Sequence, residues 1–280
     1  MTYESHGPLV TTEWLAKHLS DRNLIVADIR WDASAVDAGV KAYTAGHIPG
    51  AVYVDLDTEL ADRSDLSRGR HPLPDPQIFV EALARHGIGQ DTTMVVYDDK
   101  AGSLAARLWW MMRWISAPAA LVLDGGFTKW VVEGRPVESG PGRKPLPHPH
   151  PHVPRAHSTM VADFFELEDP EENLLLLDAR APERYRGEVE PTDARAGHIP
   201  GAINAPWMNN VSSGQEQIFK TADELRSQFE VLGIREDSDV VASCGSGVTA
   251  CHNLLAMEIA GLHGARLYPG SWSEWIAKKE

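Results

Sequence analysis

The chain has 280 residues, enough for one large domain or two ordinary ones, and 43% hydrophobic with 24% charged residues suits a soluble globular protein. Its 40 acidic and 26 basic side chains give a net charge of -14. That argues against nucleic acid or an anionic membrane as partner and leaves any anionic substrate to a few local donors. Two cysteines, Cys244 and Cys251, make no disulfide framework. With no apolar run of membrane length and no signal-peptide pattern over residues 1–20, a cytoplasmic protein is expected.

Leu9 to Leu19, capped by Thr11 or Thr12, reads as a short helix, and Leu24 to Asp28 as a buried strand followed by Ile29, Arg30 and Trp31. Gly46-His47-Ile48-Pro49-Gly50-Ala51 then leads into an apolar Val52-Tyr53-Val54. The second half repeats this order. Leu174 to Asp178 reads as a strand ending in Ala179-Arg180, and Gly197-His198-Ile199-Pro200-Gly201-Ala202 follows, 151 residues after its twin. Such an identity signals internal duplication. Met94 to Asp99 aligns with Asp239 to Cys244 at an offset of 145, with Phe127 and Trp130 opposite Trp272 and Trp275. That alignment sets Asp99 where Cys244 stands, so the first half is predicted to lack the nucleophile and to be catalytically silent.

Alternating strand and helix patterns in each half predict an α/β protein of two tandem domains, each a mostly parallel sheet flanked by helices. The predicted domains are 1–139 and 155–280. Between them, residues 140–154 are proline-rich, with His148, His150 and His152 alternating with proline, and read as an extended, semi-rigid linker. An extended strand splays the three histidines apart, so no metal site is expected there. His47 and His198 recur in both halves, and a feature shared by a silent and an active half reads as structural. Cys251 shares a helical face with Leu254, Leu255 and Ile259 and reads as core.

Cys244-Gly245-Ser246-Gly247-Val248-Thr249-Ala250 lies between the Asp239–Ser243 strand and a helical pattern running to about Ala260. Glycines there let successive N–H groups of Gly245, Gly247, Val248 and Thr249 curl inward into an anion cradle, and the helix N-terminus adds a favourable field. A cysteine heading such a cradle is a ready nucleophile. A cysteine phosphatase would need an arginine to close the loop and clamp phosphate, but Ala250 stands there.

CGSGVTA resembles the active-site loop of the rhodanese superfamily, in the form carried by 3-mercaptopyruvate sulfurtransferases, and the resemblance spans nearly the whole chain. It implies twin α/β domains with the first forming one wall of the site. It also implies a sulfurtransferase in which Cys244 attacks a donor's terminal sulfur and becomes a persulfide, with no other cofactor. The loop N–H groups would hold that sulfur, which then passes to a thioredoxin-like thiol, glutathione or cyanide. Thiosulfate-preferring relatives carry basic residues just after the cysteine; Gly245 and Ser246 supply none, which favours 3-mercaptopyruvate, with thiosulfate as the rival donor. A persulfide carrier without small-molecule turnover is the rival from another class.

Arg184, in Glu183-Arg184-Tyr185-Arg186-Gly187, resembles the family's substrate-binding arginine. A second arginine of the family's Pro-Glu-Pro-Arg segment is missing from Glu190-Pro191-Thr192-Asp193, and Arg195 is the nearby substitute. Ser246, His71 of His71-Pro72-Leu73-Pro74 and Asp57 match a hydroxyl–imidazole–carboxylate relay that would protonate the departing enolate. Trp31 and Trp207 read equally as pocket walls or as core.

Overall fold

A computed structural model describes residues 7–33, 35–118 and 120–279. Residues 1–6 and 280, at the outer ends of the two expected domains, lie outside the described residues. The described chain forms two compact units. The first takes the residues up to Ala61, Pro74–Ala156 and Ser213–Phe219; the second takes Asp62–Leu73, His157–Ser212 and the chain from Lys220 onward. The short Asp62–Leu73 stretch therefore belongs with the second unit although it precedes most of the first.

In the first unit the strands β1 (Leu9–Val10), β2 (Leu24–Asp28), β3 (Val52–Tyr53), β4 (Thr93–Tyr97) and β5 (Ala120–Leu123) form one parallel sheet. Their order is β1-β5-β4-β2-β3. Helices α1 (Thr12–His18), α2 (Ala38–Ala45), α3 (Pro76–Arg85), α4 (Ala105–Trp114) and α5 (Gly126–Val132) supply the crossovers that parallel strands require. All of β2 is buried, as expected of a strand covered on both faces. Leu15, Val26, Val95, Leu121 and Trp130 lie in the core on one side of this sheet. Leu9 and Val10 pair with Val122 and Leu123 instead of opening the first helix, which starts only after Thr11, whose side chain accepts from the Trp14 N–H. Residues 140–156 are extended and lie along this unit, with the His148 N–H donating to the Ala84 carbonyl and the Arg155 N–H to that of Ile115.

The second unit carries α6 (Phe164–Glu168), β6 (Leu174–Asp178), α7 (Pro182–Tyr185), β7 (Ile203–Asn204), α8 (Ala222–Val231), β8 (Asp239–Ser243), α9 (Ala250–Ile259), β9 (Arg266–Leu267) and α10 (Ser271–Lys278). Its four strands are again parallel, in the order β7-β6-β8-β9. Phe164, Leu176, Val241, Tyr268 and Trp272 build the core between sheet and helices. A capping box joins Thr221 and Glu224 at the start of α8.

Duplication extends to single hydrogen bonds. Asp28 at the end of β2 is clasped by Arg30, whose guanidinium also donates to the Gly46 carbonyl; Asp178, Arg180 and Gly197 repeat this at the end of β6. His47 and His198 each put Nδ1 within 2.8 Å of the carbonyl of a tyrosine, Tyr43 or Tyr185, and stack on its ring. Each tyrosine hydroxyl donates to the alanine that closes the repeated segment, Ala51 or Ala202. The two histidines thus hold the same turn in both halves.

Strand register corrects one expected equivalence. Asp28 pairs with Tyr97 and Asp178 with Ser243, so the residue after each is the counterpart pair: Asp98, not Asp99, stands where Cys244 stands. The Phe127 N–H donates to the Asp98 carbonyl as the Trp272 N–H donates to that of Cys244. In the first half the loop N–H groups of Lys100, Gly102, Leu104 and Ala105 all donate to the buried Asp98 carboxylate at 2.7–2.8 Å. An aspartate of the chain itself fills this anion cradle. Asp98→Ala should therefore destabilise the protein by about 3 kcal/mol, since it strands buried donors, with Asp98→Asn intermediate. Chemical denaturation of the two variants checks this; equal stabilities with the parent would contradict it.

Glu133, at the C-terminal end of α5, ties that helix to the start of α1. Thr12 Oγ1 donates to its carboxylate at 2.6 Å, and Lys129 and Arg135 flank it. Burial would raise this carboxyl, but those donors outweigh it and lower it to about 2. A depressed carboxyl contributes stability above its ordinary range and loses it as pH falls toward the folded value. The stability difference between the protein and Glu133→Gln should thus shrink as pH falls from about 5 to about 3. A difference that is constant over this range would contradict the assignment.

Candidate active site

β8 ends at Ser243, whose hydroxyl donates to the Leu177 carbonyl, and the chain turns at once through Cys244 to Thr249 into α9. Gly247 makes the turn possible. Its φ is +75°, and a Cβ there would stand 2.4 Å from the Pro269 carbonyl oxygen, so only glycine fits. The Gly247 N–H donates to Cys244 Sγ at 3.1 Å. Cys244 is 2% exposed and free, and its own N–H donates to Ser271 Oγ. The first turn of α10 closes the loop from behind: the Trp272 N–H donates to the Cys244 carbonyl and the Ser273 N–H to the Gly245 carbonyl, both at 3.0 Å.

The Asp62–Leu73 stretch brings two further side chains to the loop. A short 3₁₀ turn, Leu66–Arg68, is followed by Gly69, which lies against Gly270, and the Arg70 N–H donates to Ser273 Oγ at 3.0 Å. His71, buried beside them, places Nδ1 2.8 Å from Ser246 Oγ. The expected serine–histidine pair is thus assembled across 175 residues of sequence. Asp57 belongs to the first unit, where it accepts from the Trp31 indole at 2.9 Å. Trp207, the second aromatic in question, packs edge-on against His252.

Arg184, on α7, and Arg70 both reach Gly245. A Cβ on that glycine would lie 3.1 Å from Nη2 of Arg70 and 3.6 Å from Nη2 of Arg184. The loop carries no charged side chain of its own, but these two guanidiniums stand beside it, each paired with carboxylates. Arg70 is the residue that sequence reasoning missed; its only signal was adjacency to His71. Arg195 does not substitute for the missing family arginine, because its guanidinium turns to the Lys279 carbonyl.

Carboxylates hold the guanidiniums in place. Glu190 accepts from Arg184 at 2.7 Å and meets Arg180 at 3.4 Å, while Asp193 bridges Arg70 and Arg184. Burial alone would raise the Glu190 carboxyl, but the Arg184 hydrogen bond and the N–H groups of Asp193 and Thr192 hold it below its ordinary range. Burial would likewise lower Arg180, yet its bonds to Asp178 raise it, with the Cys244 and Glu190 charges adding to the effect. Cys251, the second residue of α9, is buried and donates weakly to the Gly247 carbonyl, as a core residue supporting the loop.

A buried thiol that accepts from the Gly247 N–H, with a hydroxyl–imidazole pair and two arginines near it, is suited to accept an atom from an anionic donor. Comparison with known proteins agrees. The Rhodanese-like domain family matches residues 11–133 and 164–278. A probable 3-mercaptopyruvate sulfurtransferase of Pseudomonas aeruginosa is 41% identical over 276 residues, covering 97% of this chain and 96% of its own. A putative thiosulfate sulfurtransferase, SseB of Mycobacterium tuberculosis, is 38% identical over 89% of this chain and 87% of its own. The crystal structure of SseA from Escherichia coli, a 3-mercaptopyruvate sulfotransferase, superposes with a TM-score of 0.81 at 32% identity, covering 95% of this chain and 99% of that one. The chain belongs to the rhodanese-like family and is a sulfurtransferase built from two domains of that fold.

Proposed function

We propose that the protein moves sulfane sulfur from 3-mercaptopyruvate, through a persulfide on Cys244, to a thiol acceptor. The Cys244 thiolate attacks the donor's sulfur; the S–S bond forms as the bond from sulfur to C3 breaks, and its electron pair leaves as the enolate of pyruvate. Ser246 gives the proton that turns enolate into pyruvate, and His71 restores it. The N–H groups of Gly247, Val248 and Thr249 hold the outer sulfur, and Arg184 pairs with the donor's carboxylate. An acceptor thiolate then attacks the outer sulfur and releases Cys244, so no cofactor beyond the persulfide takes part.

One observation carries the choice of donor: the 2.8 Å contact between His71 and Ser246 beside the nucleophile. A proton source there serves a donor that leaves as a carbanion and is idle for one that leaves as sulfite. Thiosulfate remains the second reading because Arg70 and Arg184 supply positive charge that the loop's own residues lack. Steady-state turnover with each donor decides between them: a higher kcat/KM for 3-mercaptopyruvate is expected, and a higher value for thiosulfate would overturn the donor assignment. Among the described residues no helix is long and apolar enough to cross a membrane. We place the protein in the cytoplasm, where reducing thiols can serve as acceptors.

A further inference from the structure

The proline-rich stretch that reads as a linker in sequence also forms part of the wall of a cavity of about 380 Å³. This cavity lies at the end of the first sheet where β2 and β4 begin, opposite the end that carries Asp98, and its lining residues all belong to the first unit. The stretch is pinned at both ends. Gly142 has a φ of +68°, and a Cβ there would overlap the Tyr43 hydroxyl. Further on, the His148 N–H donates to the Ala84 carbonyl at 2.8 Å and the Gln90 N–H to that of His150 at 3.3 Å. The His148 ring rests on Gly89, where any Cβ would overlap it, and its Nε2 lies 2.8 Å from Asp91. Pro145 and Pro147 stiffen the chain between these anchors.

Arg143 and Lys144 come from this stretch, and Arg22, from the turn before β2, lines the same cavity. Among the described residues none of the three has a carboxylate within ion-pair distance, in a chain whose net charge is -14. Asp91, the one carboxylate in the lining, is already engaged by His148. Three cations against one carboxylate leave a surplus of two positive charges, with histidine neutral. Cations gathered without counter-charge repel one another, and a bound anion relieves that cost. Ile25 and the 86% exposed Leu146 give the same cavity an apolar side. We propose that this cavity binds a small organic phosphate, its dianionic phosphate held by Arg22, Arg143 and Lys144 and its organic body laid against Leu146 and Ile25. A phosphate dianion matches the surplus charge, and two guanidinium forks with an ammonium suit its tetrahedral oxygens better than they suit a carboxylate. The volume is that of a small-molecule site and exceeds what a bare anion fills. Because the stretch is pinned before any ligand arrives, little ordering cost is left to binding. The site does not depend on which donor Cys244 uses.

Calorimetric titration of the intact protein with phenyl phosphate, inorganic phosphate and benzoate, for the parent, Arg22→Met, Lys144→Met and Leu146→Ser, tests this. Phenyl phosphate should bind the parent with a Kd of about 0.1–1 mM, and inorganic phosphate and benzoate about 10-fold more weakly. Arg22→Met and Lys144→Met should each weaken phenyl phosphate about 10-fold. Leu146→Ser should weaken phenyl phosphate about 3-fold or more and leave inorganic phosphate unchanged. All three side chains are exposed, so the variants should melt with the parent. Their turnover of 3-mercaptopyruvate should also equal the parent's, which separates this cavity from the loop at Cys244. No binding of phenyl phosphate up to about 10 mM would overturn the proposal. So would an affinity that survives both cation replacements, or benzoate or inorganic phosphate binding as tightly as phenyl phosphate. A loss of binding matched by an equal loss of turnover would place the anion at Cys244 and overturn it as well.

Discussion

Cys244→Ser should abolish sulfur transfer from every donor while the protein stays folded. The thiolate is the group that forms the new S–S bond, and a serine hydroxyl has neither its nucleophilicity nor the capacity to carry sulfane sulfur. Removing the nucleophile of a covalent mechanism costs on the order of 10⁴-fold or more in kcat. The fold should tolerate the change, because serine differs from cysteine by one atom and can accept the Gly247 N–H in place of Sγ. Turnover assays and a thermal melt on the same preparation check both halves of the statement. Retained activity would shift the chemistry away from Cys244.

His71→Ala should lower 3-mercaptopyruvate turnover by about 10²–10⁴-fold, the usual worth of a placed general acid, and thiosulfate turnover far less. Ser246 alone holds one proton and cannot recover it quickly; His71, buried at 2.8 Å, is what lets it act repeatedly. Thiosulfate gives up its outer sulfur with sulfite as the leaving group, which needs no proton in the step. A merely structural histidine would depress both donors alike, since a disturbed Asp62–Leu73 stretch would also disturb Arg70. The ratio between donors therefore separates the two roles, and equal losses would count against the relay.

Most of the sheet was legible because its strands are buried on both faces. Leu24–Asp28, Leu174–Asp178 and Asp239–Ser243 are short apolar runs that stand out without periodicity, and the structure places strands over those same residues. Leu9 and Val10 were merged with the helix because two residues carry no signal of their own; what makes them a strand is the free edge of β5. Asp98 falls one position out because the ungapped offset of 145, matched over Met94–Asp99 and Asp239–Cys244, also takes Phe127 and Trp272 as an anchor. The first half holds one extra residue between that anchor and its strand, and only the ladder hydrogen bonds fix the register.

The site divided along similar lines. Cys244, Gly247 and Ser246 are local, and their chemistry follows from a strand, a turn that glycine permits and a helix. His71 was accessible through its resemblance to a family segment. The placement of Arg70 beside Gly245 was not, because it depends on the Asp62–Leu73 stretch docking at the start of α10, which hydrophobic patterning does not record. Arg195 stands in sequence near the place of the family's second arginine, but its guanidinium donates to the Lys279 carbonyl at the end of α10.

The central claim is that sulfur rests on Cys244 between donor and acceptor. The direct measurement is mass spectrometry of the intact protein and its peptides after a single addition of 3-mercaptopyruvate without acceptor, with released pyruvate assayed in the same sample. The account predicts one added sulfur atom on the peptide bearing Cys244, matched by one pyruvate, and removed by a later addition of thiol. Pyruvate released with no sulfur on Cys244, or sulfur found on Cys251 instead, would contradict it.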